Sequence, residues 1–128
     1  MIVVDTSAVV EALVTPEAGA LRSRLSEAPS LHCPHLVDSE VVHALRGLVR
    51  RDLLAADRAH AALSDFASLA IVRYPATPLL GRMWELRDAL TAHDATFVAL
   101  AETLGCPLVT CDARLDRALH RATIELHP

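Results

Sequence analysis

Short apolar runs alternate with longer amphipathic stretches along this chain of 128 residues. Residues 2–5 (IVVD) form a β-branched run that stops at an acid, which is typical of a strand buried on both faces. Similar runs follow at 30–33, 70–74, 107–110 and 123–126. The pattern therefore predicts five short strands that need helices on both sides to cover them.

Helical spacing and breaker residues predict the elements between these strands. Apolar residues recur every three or four positions in 35–50, which indicates an amphipathic helix. Pro16 separates two early helices, and Gly105 ends a later one. The predicted helices cover 7–14, 17–27, 35–50, 55–69, 78–91, 94–104 and 113–121. This order of strands and helices predicts an α/β fold, a three-layer α/β/α sandwich with a mostly parallel central sheet.

Length and composition favour one domain, covering residues 1–128, with 52% apolar residues to build its core. No apolar run approaches the roughly 18 residues of a membrane helix. The first residues lack the basic segment of a secretory signal, so we expect a cytoplasmic protein with no membrane partner. Three cysteines are too few for a disulfide framework, and we expect them to serve as packing residues.

The charge balance restricts the chemistry. All twelve basic residues are arginine, which excludes Schiff-base catalysis and the lysine of a phosphate-binding P-loop. The net charge of −4 argues against nucleic-acid binding, unless bound cations offset the carboxylates. Two divalent ions would bring the sum to about zero.

Two acids follow predicted strands. Asp5 closes the first strand, and Asp112 comes one residue after 107–110. Ligands of parallel α/β sheets bind beyond the carboxyl ends of the strands, so both side chains should project at that edge. For Asp5, the structural alternative is an ordinary cap of the next helix.

Two more acids occupy unusual helix positions. Asp94 shares a helix face with apolar residues such as Phe97, whereas Glu102 of the same helix should face solvent. A carboxylate on a core-facing stripe is costly unless it is paired, protonated or bound to metal. For Asp94 the alternative is a first-turn acid favoured by the helix dipole. Glu40 lies at the edge of an apolar stripe, and its alternative is a boundary residue that reaches solvent.

Taken together, Asp5, Glu40, Asp94 and Asp112 all fall where an α/β sheet places its ligands, and Asp116 is one helical turn further on. Clustered acids cannot all stay ionised without cations. The oxygen donors predict a hard divalent ion, Mg²⁺ or Mn²⁺. Such carboxylate sites serve phosphoryl chemistry, in which one ion activates water and another stabilises the leaving oxygen.

The residues that carry this pattern resemble the PIN domain, and most of all the toxin nucleases of bacterial VapBC toxin–antitoxin pairs. The resemblance covers essentially the whole chain and depends on IVVDTSA at its start, the helix glutamate at 40, LTAHDA (90–95) and VTCDARL (109–115). It implies an Mg²⁺- or Mn²⁺-dependent endoribonuclease that is neutralised by a small antitoxin, and it suggests a homodimer. His93 departs from the family pattern, where a tyrosine often precedes the aspartate, and its role stays open between substrate contact and structure.

Carried over by position, Asp5, Glu40, Asp94 and Asp112 match the family's acidic quartet, and Asp116 matches a fifth acid of some members. Ser7 and Thr110 match hydroxyls that orient these acids. We expect Asp5 and Asp94 to bind metal directly, and Glu40 and Asp112 to bind it directly or through water.

Arginines must supply contacts to the RNA backbone. Arg114 and Arg117 are the candidates, because they follow Asp112 on the last helix, although a solvated helix face is the alternative. Only four aromatic residues are present, so base stacking along a platform is not expected. Apolar residues of the early helices that stay exposed would form a groove for an antitoxin helix or strand.

Other readings of the same acids are weaker. A receiver-like regulatory module would need a lysine near its aspartate, and a phosphatase with an aspartyl nucleophile would need an acid where Ser7 stands. A catalytically silent or regulatory metal-binding α/β module, acting through protein partners, is the remaining alternative.

Overall fold

A computed structural model of residues 1–128 contains a five-stranded sheet with the order β3-β2-β1-β4-β5. All four strand pairs are parallel, so the predicted α/β fold is confirmed and its sheet is parallel throughout. The strands are β1 (Ile2–Val4), β2 (Leu31–Pro34), β3 (Ile71–Tyr74), β4 (Leu108–Thr110) and β5 (Ile124–Leu126). The helices are α1 (Thr6–Val14), α2 (Gly19–Glu27), α3 (Leu36–Arg50), α4 (Ala56–Ser68), α5 (Leu80–Glu85), α6 (Ala92–Leu104) and α7 (Ala113–Arg117).

Helices cover the sheet in two groups. The chain moves from β1 to β2 and β3 in one direction and from β4 to β5 in the other. Right-handed crossovers therefore put α1–α4 on one face and α5–α7 on the opposite face. Helices α1, α3 and α4 pack against one another, while α6 packs on β1, β2 and β4. This double cover explains why every residue of β1 and β4 is buried.

Helix α6 is the central element of its layer. Residues 95–101 are all buried, so the helix has no solvent face over those two turns. Thr91 caps its start by accepting a hydrogen bond from the Asp94 backbone N–H at 3.2 Å. Gly105 ends it in the left-handed region with φ 63°, where glycine has no steric penalty. None of the helices combines the length and the apolar character needed to cross a membrane.

Two predicted helices are shorter in the structure. The stretch predicted as one helix over 78–91 begins with a 3-10 turn, Thr77–Leu79, and continues as α5. Turns follow at 86–90, where backbone hydrogen bonds between residues three positions apart partly replace the α-helical bonds between residues four apart. The helix predicted over 113–121 ends at Arg117. Beyond it, His120 bonds to the Leu115 carbonyl oxygen, and the Arg121 backbone N–H donates to Glu102.

Glu102 was predicted to face solvent, and the structure shows that this prediction was wrong. Only 11% of its side chain is exposed. It accepts hydrogen bonds from the Arg82 guanidinium at 2.7 and 3.1 Å and from the Arg121 N–H at 2.7 Å. These contacts join α5, α6 and the segment after α7.

The cysteines form no disulfide, as predicted. Cys33 is buried and its thiol donates to the Val4 carbonyl oxygen at 3.2 Å. Burial raises the pKa of that thiol to about 12, which is the behaviour of a packing residue.

Candidate active site

The candidate site lies where the chain reverses its direction across the sheet. Neighbouring strands β1 and β4 lead to opposite edges, so a crevice opens beyond their carboxyl ends. Asp5 follows β1 directly, and its backbone N–H still pairs with the Val109 carbonyl oxygen at 2.9 Å. Asp112 follows β4 by one residue. The topology therefore brings together two acids that are more than 100 positions apart in the sequence.

Asp5 is a buried carboxylate held by hydroxyl groups. Its residue is 7% exposed, and its Oδ2 accepts hydrogen bonds from Ser7 Oγ at 2.6 Å and from Thr110 Oγ1 at 2.8 Å. Asp5 stands at the N-cap of α1, but its side chain makes no capping hydrogen bond. The structural alternative for this residue, an ordinary cap, therefore does not describe its side chain.

The pKa of Asp5 is raised above its ordinary value because burial disfavours the charged carboxylate. The hydrogen bonds from Ser7 and Thr110 oppose this effect, and the negative charge of Asp94 adds to it. A buried anion with hydroxyl support but no paired cation is the electrostatic situation that a bound metal ion relieves.

Glu40 faces the same crevice from α3. Its Oε1 accepts a hydrogen bond from Thr6 Oγ1 at 2.9 Å, and its Oε2 is 3.5 Å from His93 Nδ1. Burial raises the pKa of Glu40, and the charges of Asp5 and Asp94 add to the rise, while Thr6 and His93 lower it. Glu40 is partly buried, with 26% of its side chain exposed, and it lies beside His93 and feels the charges of Asp5 and Asp94.

Asp94 completes the set from the first turn of α6. Its side chain is 26% exposed, so it borders the crevice instead of entering the core. The preceding residue, His93, lies 3.5 Å from Glu40, and Arg114 lies 4.0 Å from Asp94 Oδ2, so Asp94 is near these two side chains. The negative charge of Asp94 also acts on Asp5 and on Glu40.

Asp112 lies beside them in a different environment. Its carboxylate caps α7 by accepting from the Arg114 backbone N–H at 2.9 Å, and it also accepts from the Arg114 guanidinium, with Nε 3.0 Å from both oxygens. These hydrogen bonds lower the pKa of Asp112. The same guanidinium is 4.0 Å from Asp94 Oδ2. Arg114 therefore lies between Asp112 and Asp94.

Two of the predicted residues are not drawn into this cluster. Asp116 and Arg117 are exposed on α7, and neither makes a side-chain hydrogen bond or ion pair with the four acids. Asp116 is exposed although it lies only four positions after Asp112. Arg117 is available to solvent and hence to a ligand.

The donor set fits a hard divalent cation in its chemistry. The groups that face the crevice are carboxylates and hydroxyls, with no thiolate, and their mutual repulsion is relieved only by positive charge. No three His, Cys, Asp or Glu side chains are already arranged around one point as metal ligands. Both oxygens of the Asp112 carboxylate bind the Arg114 guanidinium.

Thr6 is a residue that the sequence analysis did not single out. Its hydroxyl fixes one oxygen of Glu40, much as Ser7 and Thr110 fix Asp5. The available signal was a second hydroxyl directly after Asp5, but the partner lies 34 positions away and only the folded chain identifies it. His93, whose role stayed open, is now placed beside Glu40.

Comparisons with known proteins identify the family. A model of the PIN domain matches residues 2–120. Ribonuclease VapC9 of Mycobacterium tuberculosis is 50% identical over 115 residues, which cover 90% of this chain and 88% of the relative. Ribonuclease VapC12 of the same organism is 42% identical over 127 residues and 98% of each chain.

Solved structures share the fold at lower identity. The crystal structure of VapBC2 from Rickettsia felis, bound to a DNA fragment from its promoter, has a TM-score of 0.73 at 15% identity and covers 98% of both chains. Mycobacterium tuberculosis VapC20, described as a sarcin-ricin loop cleaving toxin, has a TM-score of 0.65 at 21% identity, over 91% of this chain and 94% of that one. The sequence and its match to the family model together establish that this chain belongs to the PIN domain family and, within it, to the VapC ribonucleases.

Proposed function

We propose that this protein is the toxin of a type II toxin–antitoxin pair and acts as an endoribonuclease that depends on Mg²⁺ or Mn²⁺. The observation that carries the proposal is a set of contacts beyond β1 and β4 that brings the acids near one another. Thr110 bonds to Asp5 and to the Asp112 backbone N–H. Arg114 bonds to Asp112 and lies 4.0 Å from Asp94, and His93, next to Asp94, lies 3.5 Å from Glu40. The names of the relatives, which are ribonucleases, support RNA as the substrate class.

Asp5 and Asp94 would hold the ion, with Glu40 and Asp112 as direct or water-mediated ligands. The bound ion would lower the pKa of a water molecule and stabilise the negative charge that develops on the phosphodiester. Ser7 and Thr110 keep Asp5 in place for this task, and Thr6 does the same for Glu40. Asp116 is the fifth candidate ligand and would have to move to take part.

The chain offers no activated covalent nucleophile in the crevice. Ser7 Oγ donates to Asp5 and accepts from the Cys111 backbone N–H at 3.0 Å, and no imidazole contacts it. Burial raises the pKa of the Cys111 thiol to about 11, so it is protonated at neutral pH. Direct attack by water is therefore the mechanism that this site supports best.

Arg114 and Arg117 are the proposed contacts to the RNA backbone. Both lie on α7 next to Asp112, and both side chains are exposed to solvent. Arginine binds phosphate oxygens in a bidentate manner, which suits a site that must recognise a backbone without reading bases.

The antitoxin partner has a candidate binding surface beside the acids. A groove of about 510 Å³ runs between α1 and α3. Its lining combines apolar side chains with two charged ones and includes Val10, Val14, Leu48, Leu53, Leu54, Glu11 and Arg51. Thr6 and Ser7 border the same groove, so a chain bound there would extend to the acidic cluster. An apolar helix or strand of an antitoxin fits this surface.

Leu53→Glu should weaken antitoxin binding in a titration without slowing RNA cleavage, and unchanged affinity would exclude this groove.

A homodimer is also part of the proposal. Leu80 and Trp84 lie one turn apart on α5 and are 54% and 68% exposed, which is a large apolar area for a free surface. Light scattering at micromolar concentration should give twice the monomer mass, and a Trp84→Glu variant should shift it toward 13.8 kDa.

Cleavage of RNA with purified protein tests the function. The wild-type chain should cleave in Mg²⁺ or Mn²⁺ and stop in EDTA, and Asp94→Ala should lose activity by at least about 100-fold while keeping its circular dichroism spectrum. Asp65→Ala, which removes an exposed acid from α4, is the matched control and should cleave normally. Equal cleavage by Asp94→Ala would refute the site, and a wild-type chain that binds an antitoxin but cleaves no RNA would favour the silent module.

A further inference from the structure

One guanidinium faces the acidic cluster. Arg114 donates from Nε to both oxygens of Asp112 at 3.0 Å, and its Nη2 lies 4.0 Å from Asp94 Oδ2. The negative charge of Asp5 also acts on it. His93 is the other basic group at the crevice, and it contacts Glu40 instead.

The contacts of Arg114 use the atoms that a cation would need. Both carboxylate oxygens of Asp112 accept from the guanidinium, and Oδ1 also accepts from the Arg114 backbone N–H, so few of the carboxylate lone pairs stay free for an ion. A guanidinium and a divalent ion would also repel each other at such close range. Arg114 and a metal ion therefore compete for the same negative charge.

Arg114 is able to leave without disturbing the fold. Its side chain is 75% exposed, and the helix that carries it has only five residues. Ion pairs at exposed positions are weak, so a divalent ion can displace this one. The released side chain is long enough to stay near the crevice, where a phosphate oxygen is its natural next partner.

We propose that Arg114 is an internal counter-ion of the acidic cluster, one that occupies the cation position in the metal-free protein and is displaced from Asp112 when the metal ion binds. This inference rests on the proposed metal-dependent function. It gives Arg114 two successive roles, first lowering metal affinity by holding Asp112 and then binding the substrate phosphate. Arg117, which contacts none of the acids, has only the second role.

Metal binding without RNA tests the first role. Mn²⁺ affinity measured by calorimetry should rise about 3- to 10-fold in Arg114→Gln, because the competing ion pair is gone. Arg117→Gln removes the same charge three residues further along the same helix and should change the affinity by less than about 2-fold. Equal or weaker Mn²⁺ binding by Arg114→Gln, with an unchanged circular dichroism spectrum, would overturn the proposal.

A structural measurement gives a second, independent readout. In ¹H–¹⁵N spectra, the Arg114 Nε–H signal should shift on addition of Mg²⁺ as its bond to Asp112 breaks, while the Arg117 signal should stay in place. A stationary Arg114 signal at saturating Mg²⁺ would overturn the displacement.

These outcomes separate the two proposals. A wild-type protein that binds Mn²⁺ and cleaves RNA, with Arg114→Gln binding no tighter, would refute the role of Arg114 alone. A wild-type protein that neither binds Mn²⁺ nor cleaves RNA would overturn the proposed function as well.

Discussion

Hydroxyl groups hold the carboxylates of this site at the scale of single residues. Thr110 is fully buried, donates to Asp5 at 2.8 Å and accepts from the Asp112 backbone N–H at 3.0 Å. One side chain thus connects the ends of β1 and β4. No water molecule can take over the hydrogen bonds of the Thr110 hydroxyl, because solvent does not reach it.

Thr110→Val should therefore affect both stability and activity. The isosteric change removes a donor from a buried carboxylate, which costs about 1–3 kcal/mol of unfolding free energy in urea denaturation. RNA cleavage should fall as well, since Asp5 loses part of its support. Thr103→Val is the matched control, because the Thr103 hydroxyl only bonds to the Ala99 carbonyl oxygen on an exposed part of α6. Equal stability of the two variants would contradict the role of Thr110.

Asp5 should destabilise the metal-free fold at neutral pH. Burial raises the pKa of Asp5 in the folded chain. At pH values between the ordinary pKa of 3.8 and the raised pKa, the folded state therefore binds more protons than the unfolded state. The unfolding free energy contributed by this group falls as pH rises through that window. In EDTA, Asp5→Asn should be more stable than wild type at pH 7, and the difference should shrink as pH approaches 3.8.

The asparagine carbonyl oxygen still accepts from Ser7 and Thr110, so the comparison isolates the charge. Thermal unfolding at pH 7 and at pH 4 measures the effect. A less stable Asp5→Asn protein at neutral pH would contradict this account.

Ion-paired contacts between elements act at the next scale. The Arg82–Glu102 pair joins α5 to α6, and the Arg121 N–H adds the segment after α7. Burial raises the pKa of Glu102, but the hydrogen bonds from Arg82 and Arg121 outweigh it and lower the pKa below the ordinary value of 4.5. A carboxyl group whose pKa is lower in the folded state stabilises the fold at pH values above its unfolded-state pKa. This stabilisation is lost as the pH falls through the folded-state pKa.

Glu102→Gln should lower the unfolding free energy at pH 7 by about 1–3 kcal/mol, because hydrogen bonds to a charged acceptor are weakened. The difference from wild type should narrow below pH 4.5. Glu85→Gln, which alters the exposed partner of the same arginine, should have little effect, since 62% of the Glu85 side chain is in solvent. Urea denaturation at pH 7 and pH 3 distinguishes the two variants.

Charge repulsion among the acids is a property of the whole molecule, since the acids come from the residue after β1, from α3, from α6 and from the segment after β4. A cation that binds only the folded state stabilises it by mass action, about 2.7 kcal/mol at 100 times the Kd. Adding Mn²⁺ should therefore raise the unfolding temperature of the wild-type protein by several degrees. Asp94→Ala should lose most of that shift, whereas an unaltered shift would argue that the ion binds elsewhere.

Local patterns in the sequence were sufficient for the elements and for the candidate residues. The buried runs ending at Asp5 and before Asp112 predicted parallel strands, and the strand ends predicted where chemistry would lie. Family membership followed from the same residues and is confirmed. The end of α7 did not follow from local patterns, because the segment after it contacts the distant Glu102.

The sequence by itself determined the parallel α/β fold, the family and the identity of the acids, because these depend on hydrophobic periodicity and on residue types within short stretches. Tertiary structure alone decided which acids meet and what each contacts. It paired Thr6 with Glu40, packed Glu102 against Arg82, brought Arg114 within 4.0 Å of Asp94 Oδ2, and left Asp116 in solvent. Such contacts depend on ångström-scale distances between side chains from separate elements, and no local pattern encodes them.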